Sequence, residues 1–256
     1  MSRGDLYAEP WLAAGYASNR PPVHMRILDR AASDLAWAGP VGVALDIGCG
    51  AGASTKALVQ SGIANHIFGV DPSIEMIRNA KLQVAAASFL VGAAEALPVT
   101  SDSVALMTAA GSLNFAHFSE FFAEAQRVLS LGGLLLVYDF GPGRRTADSG
   151  DLDSWFTEML QRWPTPRDGV PKIDQTRLES APMPLIGGRR FSVPIDFELN
   201  RYVDYIMTET NVAFAVRSGV PTSEVRAWCD QGLRTLFQGS LRVEFDSYYA
   251  CFGQPR

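Results

Sequence analysis

Gly48, Gly50 and Gly52 stand at alternate positions, two residues after Asp46, in the stretch V-A-L-D-I-G-C-G-A-G. Glycine takes φ > 0 without strain and leaves the main chain bare, so a ligand can approach the backbone at Gly48, Cys49 and Gly50. The residues that follow, Ser54, Thr55, Lys56 and Leu58, begin a helix whose unpaired N–H groups point back at that ligand. The spacing is G-x-G-x-G rather than the G-x-G-x-x-G that cradles a pyrophosphate, which points to a nucleoside without phosphate. Asp46 places a carboxylate beside the loop and so suits a cationic nucleoside. About 20 residues further on, Asp71 ends a second apolar run, where an acidic side chain can accept both hydroxyls of a ribose.

The elements that must carry these groups are legible as alternating strands and helices. Val43, Ala44, Leu45 and Ile47 form the short apolar run of a strand buried on both faces. His66 to Val70 make the second strand, and Pro72 and Ser73 start a helix with Met76 and Ile77 on its first turns. Ser88 to Gly92 read as a third strand, followed by a loop G-A-A-E-A-L-P from Gly92 to Pro98 that contains Ala94 and Glu95. Ser103 to Thr108 are the fourth strand. At its carboxyl end stands A-G-S-L-N-F-A-H-F, where an open parallel sheet binds its ligand. Gly111, Ser112, Asn114 and His117 are therefore expected at the reacting end of the site. Phe121, Phe122, Ala125, Val128 and Leu129 keep the helical period, Gly132 and Gly133 turn the chain, and Leu134 to Tyr138 form a fifth strand.

D-I-G-C-G-A-G resembles motif I of the class I S-adenosylmethionine-dependent methyltransferases, and the following residues keep that family's order of parts. D-P-S-I-E-M is similar to the family's D-x-S-x-x-M, whose apolar members enclose adenine. The resemblance thus implies cofactor contacts from Asp46, Gly48, Cys49, Gly50, Asp71, Pro72 and Met76. G-A-A-E-A-L-P resembles G-D-A-E-x-L-P, implying contacts from Ala94 and Glu95, but Ala93 replaces the aspartate that meets the adenine amino group. E-A-Q-R-V-L-S-L-G-G resembles the structural E-x-x-R-V-L-x-P-G-G. A Y-A-x-x-R-P stretch supplies Tyr16 and Arg20, which in similar small-molecule methyltransferases close over the methionine end of the cofactor. A packing tyrosine and a solvated arginine are the plainer reading. The likeness covers residues 16 to 139 and is to the trans-aconitate and ubiquinone-pathway enzymes.

Beyond Asp139 the pattern loosens. Prolines recur at 164, 166, 171, 182 and 184, with one short helix around Trp155 to Leu160. So long an interruption reads as a lid or binding element. Phe191 to Phe197 alternate as a strand, helices are expected over Arg201 to Ser218 and Ser223 to Phe237, and Leu241 to Cys251 alternate as a last strand. The expected fold is α/β: a Rossmann-like, doubly wound, seven-stranded sheet, mostly parallel with an antiparallel final strand, plus a largely helical cap inserted after the fifth strand. The expected divisions are an N-terminal element at 1–40, a cofactor-binding core at 41–140, a cap insertion at 141–190 and closing strands and helices at 191–256. Within the cap, Thr208 and Asn211 belong to a polar knot that finds partners either in a substrate or as a helix end in water.

Charged residues make up 19 % of the chain and the formal net charge is −5, so no basic footprint suggests nucleic acid. Cys49, Cys229 and Cys251 are far apart, which suits a reducing compartment and offers no metal-ligand spacing. No apolar run reaches the roughly 18 residues of a membrane span. A cytoplasmic protein with no membrane partner is the expectation. The function expected is methyl transfer from S-adenosylmethionine to an oxygen, nitrogen or carbon of a small molecule. His117 and Glu209 are the candidate bases for an acceptor that arrives protonated. Two alternatives stand beside it: a catalytically silent scaffold of the same fold, favoured by Ala93, and a nicotinamide-dependent oxidoreductase, disfavoured by the glycine spacing.

Overall fold

The structure is a computed structural model and describes residues 19–37, 39–165, 173 and 175–253. Tyr16 lies outside them. The chain divides into two compact units. One comprises Met1–Pro21, Gly141–Gly169 and Ser192–Asp246, and the other Pro22–Phe140, Val170–Phe191 and Ser247–Arg256.

In the second unit, α1 (Val23–Asp34) buries Val23, Ile27, Leu28 and Ala31 along one face, the stripe its four-residue spacing predicts. Then β1 (Val41–Ile47), α2 (Ala53–Ser61), β2 (Ala64–Asp71), α3 (Ile74–Gln83), β3 (Ser88–Val91) and β4 (Val104–Ala110) follow in strict alternation up to β3. A short 3-10 turn at Leu113–Phe115 leads to α4 (Phe118–Val128), which passes straight into β5 (Leu129–Phe140). The seven-stranded sheet runs β3-β2-β1-β4-β5-β7-β6, with β6 at Leu185–Phe197 and β7 at Leu241–Gly253. Strands β1 to β5 pair in parallel and β7 pairs antiparallel with β5, Asp139 facing Tyr248. The expected Rossmann-like, mostly parallel sheet with an antiparallel last strand is the observed one. The strand order reverses between β1 and β4, which creates the crevice at their carboxyl ends.

The core of this unit joins Leu45, Ile47, Met107, Leu135 and Val137 of the sheet to Phe121, Phe122 and Ala125 of α4. Asp34, the last residue of α1, accepts hydrogen bonds from Tyr249 (2.8 Å), Arg30 and Arg189. Burial alone would push the Asp34 carboxyl up, but these three donors outweigh it and hold it down at about 2.

The other unit contains α5 (Asp151–Arg162), α7 (Leu199–Ile206), α8 (Thr210–Arg217) and α9 (Thr222–Leu233), while α6 (Gln175–Glu179) belongs with the sheet. Trp155 stacks on Trp228 with ring centres 5.3 Å apart, and Tyr202 and Tyr205 are fully buried. Tyr202 donates to the Gly143 carbonyl (2.6 Å) and Tyr205 accepts from the Gly143 N–H (3.0 Å), so the buried phenols keep polar partners. The single helix expected over 201–218 is two helices. The break falls at Met207–Glu209, where Thr208 turns its hydroxyl onto the Tyr205 carbonyl (2.6 Å) and Glu209 becomes the residue preceding α8.

Candidate functional site

All three glycines of the loop after β1 have positive φ, +65° at Gly48, +54° at Gly50 and +95° at Gly52, so the chain turns where only glycine turns freely. Gly48 is also pressed from outside: a Cβ there would lie 2.3 Å from the Cβ of Ser112. Gly50 has open space at the same position. The loop's amides are mostly spent on the protein. Gly48 and Cys49 both donate to the Val70 carbonyl (2.7 and 3.0 Å), and Gly50 donates to Asp71 Oδ2 (3.0 Å). The bare backbone is therefore a locked wall, and the donors expected to reach out to a ligand instead tie the loop to β2.

Asp71 is the hinge of this arrangement. Its Oδ2 takes the Gly50 N–H and its Oδ1 takes the Ser73 N–H (2.9 Å), which fixes the carboxylate in one orientation at the end of β2. A carboxylate has about four acceptor positions, so two remain for a diol. Burial raises its pKa and the two N–H bonds work against that rise. Ser73 then caps α3 by accepting from the Met76 N–H (3.3 Å), which sets half-buried Met76 on the first turn after exposed Pro72.

Asp46 is placed differently from the sequence expectation. Its side chain is 0 % exposed and accepts from Ser54 (2.6 Å), Thr55 (2.7 Å) and Thr108 (2.9 Å). It therefore fastens β1, the start of α2 and β4 to one another rather than presenting charge to a ligand. Burial raises its pKa, against the three hydroxyl bonds that lower it. Burial likewise pushes the Cys49 thiol up, so this cysteine stays a neutral packing residue.

The loop after β3 is held from behind by α4. Glu124 Oε1 accepts the Leu97 N–H (2.7 Å) and an Arg127 Nη2–H (2.6 Å), while Arg127 donates to the carbonyls of Val99 and Leu97 (3.1 and 3.2 Å). The E-x-x-R pattern thus positions the segment that carries Ala94 and Glu95. Glu95 itself accepts the His117 N–H (2.6 Å) at the start of α4. Its carboxylate is engaged there, and the His117 side chain is exposed.

At the end of β4, Gly111 (φ +65°) donates to the Tyr138 carbonyl (2.8 Å), and Ser112 donates to the Ile47 carbonyl (2.6 Å). Asn114 donates to the Gly111 carbonyl (3.3 Å) and to Asp139 Oδ2 (3.4 Å), and its Oδ1 accepts the Ile173 N–H (2.6 Å). Asp46, Gly48, Gly50, Asp71, Gly111, Ser112 and Asn114 are thus joined by direct contacts or short bonded paths. In the other unit Arg20 pairs with Glu209 (3.1 Å), donates to the Thr208 carbonyl (3.2 Å) and lies 5.4 Å from the Tyr205 ring centre. Asn211 donates to the Trp163 carbonyl (3.1 Å). The polar knot therefore makes bonds within its own unit. Thr108 and Asp139 are contributors that the sequence does not single out, and Ser54 and Thr55, expected only as the start of a helix facing the ligand, contribute through their hydroxyls. The Ser-Thr pair just after the glycines and an acid closing the fifth strand were their only signals.

Residues 45–137 match a family model described as a methyltransferase domain. Over 99 residues the chain is 30 % identical to an assigned methyltransferase of Dictyostelium discoideum, covering 39 % of this chain and 36 % of that one. The chain spans less than half the length of the curated relatives it matches. Among solved structures it is similar to an assigned type II methyltransferase from Anaeromyxobacter dehalogenans, with a TM-score of 0.69, 24 % identity and coverage of 92 % of this chain and 97 % of that one. It also shares its fold with Haemonchus contortus phosphoethanolamine N-methyltransferase 2 in complex with S-adenosylmethionine, with a TM-score of 0.55 and 13 % identity over 100 % of this chain and 58 % of that one. The segment 45–137 thus matches a methyltransferase domain, and the sheet around it has the fold that these solved methyltransferases share. The oriented Asp71 acceptor beside an open Gly50 is a place that a ribose fits.

Proposed function

We propose that the chain transfers a methyl group from S-adenosylmethionine to a small-molecule acceptor by in-line displacement. The observation that carries this reading is the Asp71 carboxylate, fixed by the Gly50 and Ser73 amides at the end of β2 with acceptor positions left for a ribose. Met76 and Pro72 border the adenine, with Ala94 and Glu95 on its other side, and the end of β4 at Gly111 and Ser112 meets the methionine portion. Gly48 and Cys49 complete the cofactor set of this unit, and Asp46 acts through the hydroxyls it gathers. The bound cofactor supplies an already activated methyl on a cationic sulfur. What remains for the protein is to hold nucleophile and methyl in line and to exclude water, an effect worth about 7–11 kcal/mol of barrier.

The candidate acceptor contacts are Asn114 in the sheet unit and Thr208 and Asn211 in the other. His117 and Glu209 are candidate bases. No helix among the described residues is long and apolar enough to cross a membrane, and the acidic net charge fits a cytoplasmic protein acting on a metabolite rather than on nucleic acid. Calorimetric titration with S-adenosylhomocysteine and with NADH tests the reading: heat with the first and none with the second is expected, and the reverse defeats it. Ala93, exposed where an acid would reach the adenine amino group, favours a scaffold that binds without turnover. Binding combined with no methylation across a metabolite panel would establish that alternative.

A further inference from the structure

Asp139 closes β5, one residue before its end at Phe140, and open parallel sheets take their ligands just outside such strand ends. Two features bring its carboxylate to the site. The Gly111 N–H donates to the Tyr138 carbonyl, which holds the ends of β4 and β5 side by side, and a Cβ at Gly111 would lie 2.9 Å from Asp139 Oδ1. The next residue, Ser112, packs on Gly48, so Gly111, against which the carboxylate lies, adjoins the residue that touches the glycine loop. Donors that orient it include the Phe140 N–H on Oδ1 (2.8 Å) and Asn114 Nδ2 on Oδ2 (3.4 Å). Asn114 in turn is fixed by the Ile173 N–H and the Gly111 carbonyl, so its amide serves to aim Asp139. The negative charge reaches Tyr248 across the strand pair, whose phenol is pushed up to about 12 by burial first and by Asp139 second.

We propose that Asp139 is a catalytic residue that binds the acceptor's nucleophilic atom through its hydrogen and receives that proton, so that the acceptor is an amine or hydroxyl compound. This deepens the methyl-transfer reading and rests on it. A carboxylate acceptor would bring like charge against Asp139 and has no hydrogen to offer. As the lone pair of the nitrogen or oxygen forms its bond to the methyl carbon, the carbon–sulfur bond breaks and its electron pair stays on sulfur, leaving a neutral thioether. The proton on the acceptor passes to an Asp139 oxygen and then to water. Asn114 is a positioning residue for this group.

The test uses the full chain and Asp139→Asn, which keeps shape and removes the charge. Titration with S-adenosylmethionine and S-adenosylhomocysteine comes first. Asp139→Asn should bind the homocysteine form within threefold of wild type and lose at least threefold of the wild-type preference for the charged form. Turnover is then measured on a panel of primary and secondary amines, phenols and alcohols and on a panel of carboxylic acids. Methylation confined to the first panel, falling about 10²–10⁴-fold in Asp139→Asn and partly restored in Asp139→Glu, is the expected result. Methylation of carboxylic acids alone, of neither panel, or an Asp139→Asn rate within threefold of wild type overturns the proposal. Failure of the wild type to bind S-adenosylhomocysteine would instead strike the methyl-transfer reading beneath it.

Discussion

Replacing Asp71 by alanine tests the cradle most directly, because its two effects separate. In the free protein the carboxylate accepts two backbone N–H groups, from Gly50 and Ser73. Losing them costs stability, but removing a carboxylate whose burial raises its pKa gives some of that back, so the net change stays within about 1–2 kcal/mol. The bound state loses more. Two ribose hydroxyls donating to a charged acceptor contribute about 1.5–3 kcal/mol each, roughly 3–6 together, which predicts a dissociation constant for S-adenosylhomocysteine raised by about 10²–10⁴. Asp71→Asn should fall between, since its amide can offer one acceptor but sets an N–H against one of the two backbone donors. Calorimetric titration reads the affinity and thermal unfolding reads the fold. An Asp71→Ala protein that unfolds as wild type does and binds within threefold would refute the reasoning, because the ribose would then be held elsewhere.

Further outcomes follow from the same geometry. Gly48→Ala must adopt φ near +65° and drive Ser112 aside, about 1–2 kcal/mol for the first and 1–3 for the second, and denaturant unfolding should show a loss of roughly 2–5 kcal/mol. Adding Ser112→Gly should recover the steric part, less the hydroxyl bond to the Ile47 carbonyl that it removes. Asp46 has a folded-state pKa above its unfolded value, so its contribution is fullest when protonated and is lost as pH rises through that interval. Wild type should accordingly gain stability relative to Asp46→Asn as pH falls from 7 towards 4, and a constant difference would contradict the buried charge. Asp34 has the opposite sign. Its pKa of about 2 lies below the unfolded value, so the advantage of wild type over Asp34→Asn is present above pH of about 4 and disappears as pH falls to about 2. Thermal unfolding across that range checks it.

The frame of the sheet could be read from the chain because each parallel strand is a nearly continuous apolar run and each ends in glycine or an acid. Where burial is one-sided and weak the reading shortened. β6 begins at Leu185, six residues before the alternation at Phe191 becomes visible, because Leu185 to Arg190 are mostly exposed. The break at Met207–Glu209 was hidden for the opposite reason. Tyr205 and Ile206 before it and Val212 and Ala213 after it are all buried, so the apolar pattern runs across a change of helix. At the site, residue types were legible but their direction was not. Nothing in the order of letters shows that Ser54, Thr55 and Thr108 converge on Asp46, or that the amide of Asn114 turns back onto Asp139. The Glu124 and Arg127 pair is structural, as its motif implies, and its bonds to Leu97 and Val99 give the reason: it fixes the path of a loop that has little secondary structure of its own.

The meeting of Asp46 with Thr108, and of Gly48 with Ser112, joins segments about sixty residues apart, so closing that span of chain carries an entropic cost that local turns do not. The nucleoside pocket consequently cannot mature with its first strand and helix, and has to wait for the fourth strand to dock. A fragment ending before Ser103 would retain the three loop glycines and both acids yet lack the two side chains that brace them, and ligand affinity during refolding should appear only with the final cooperative phase.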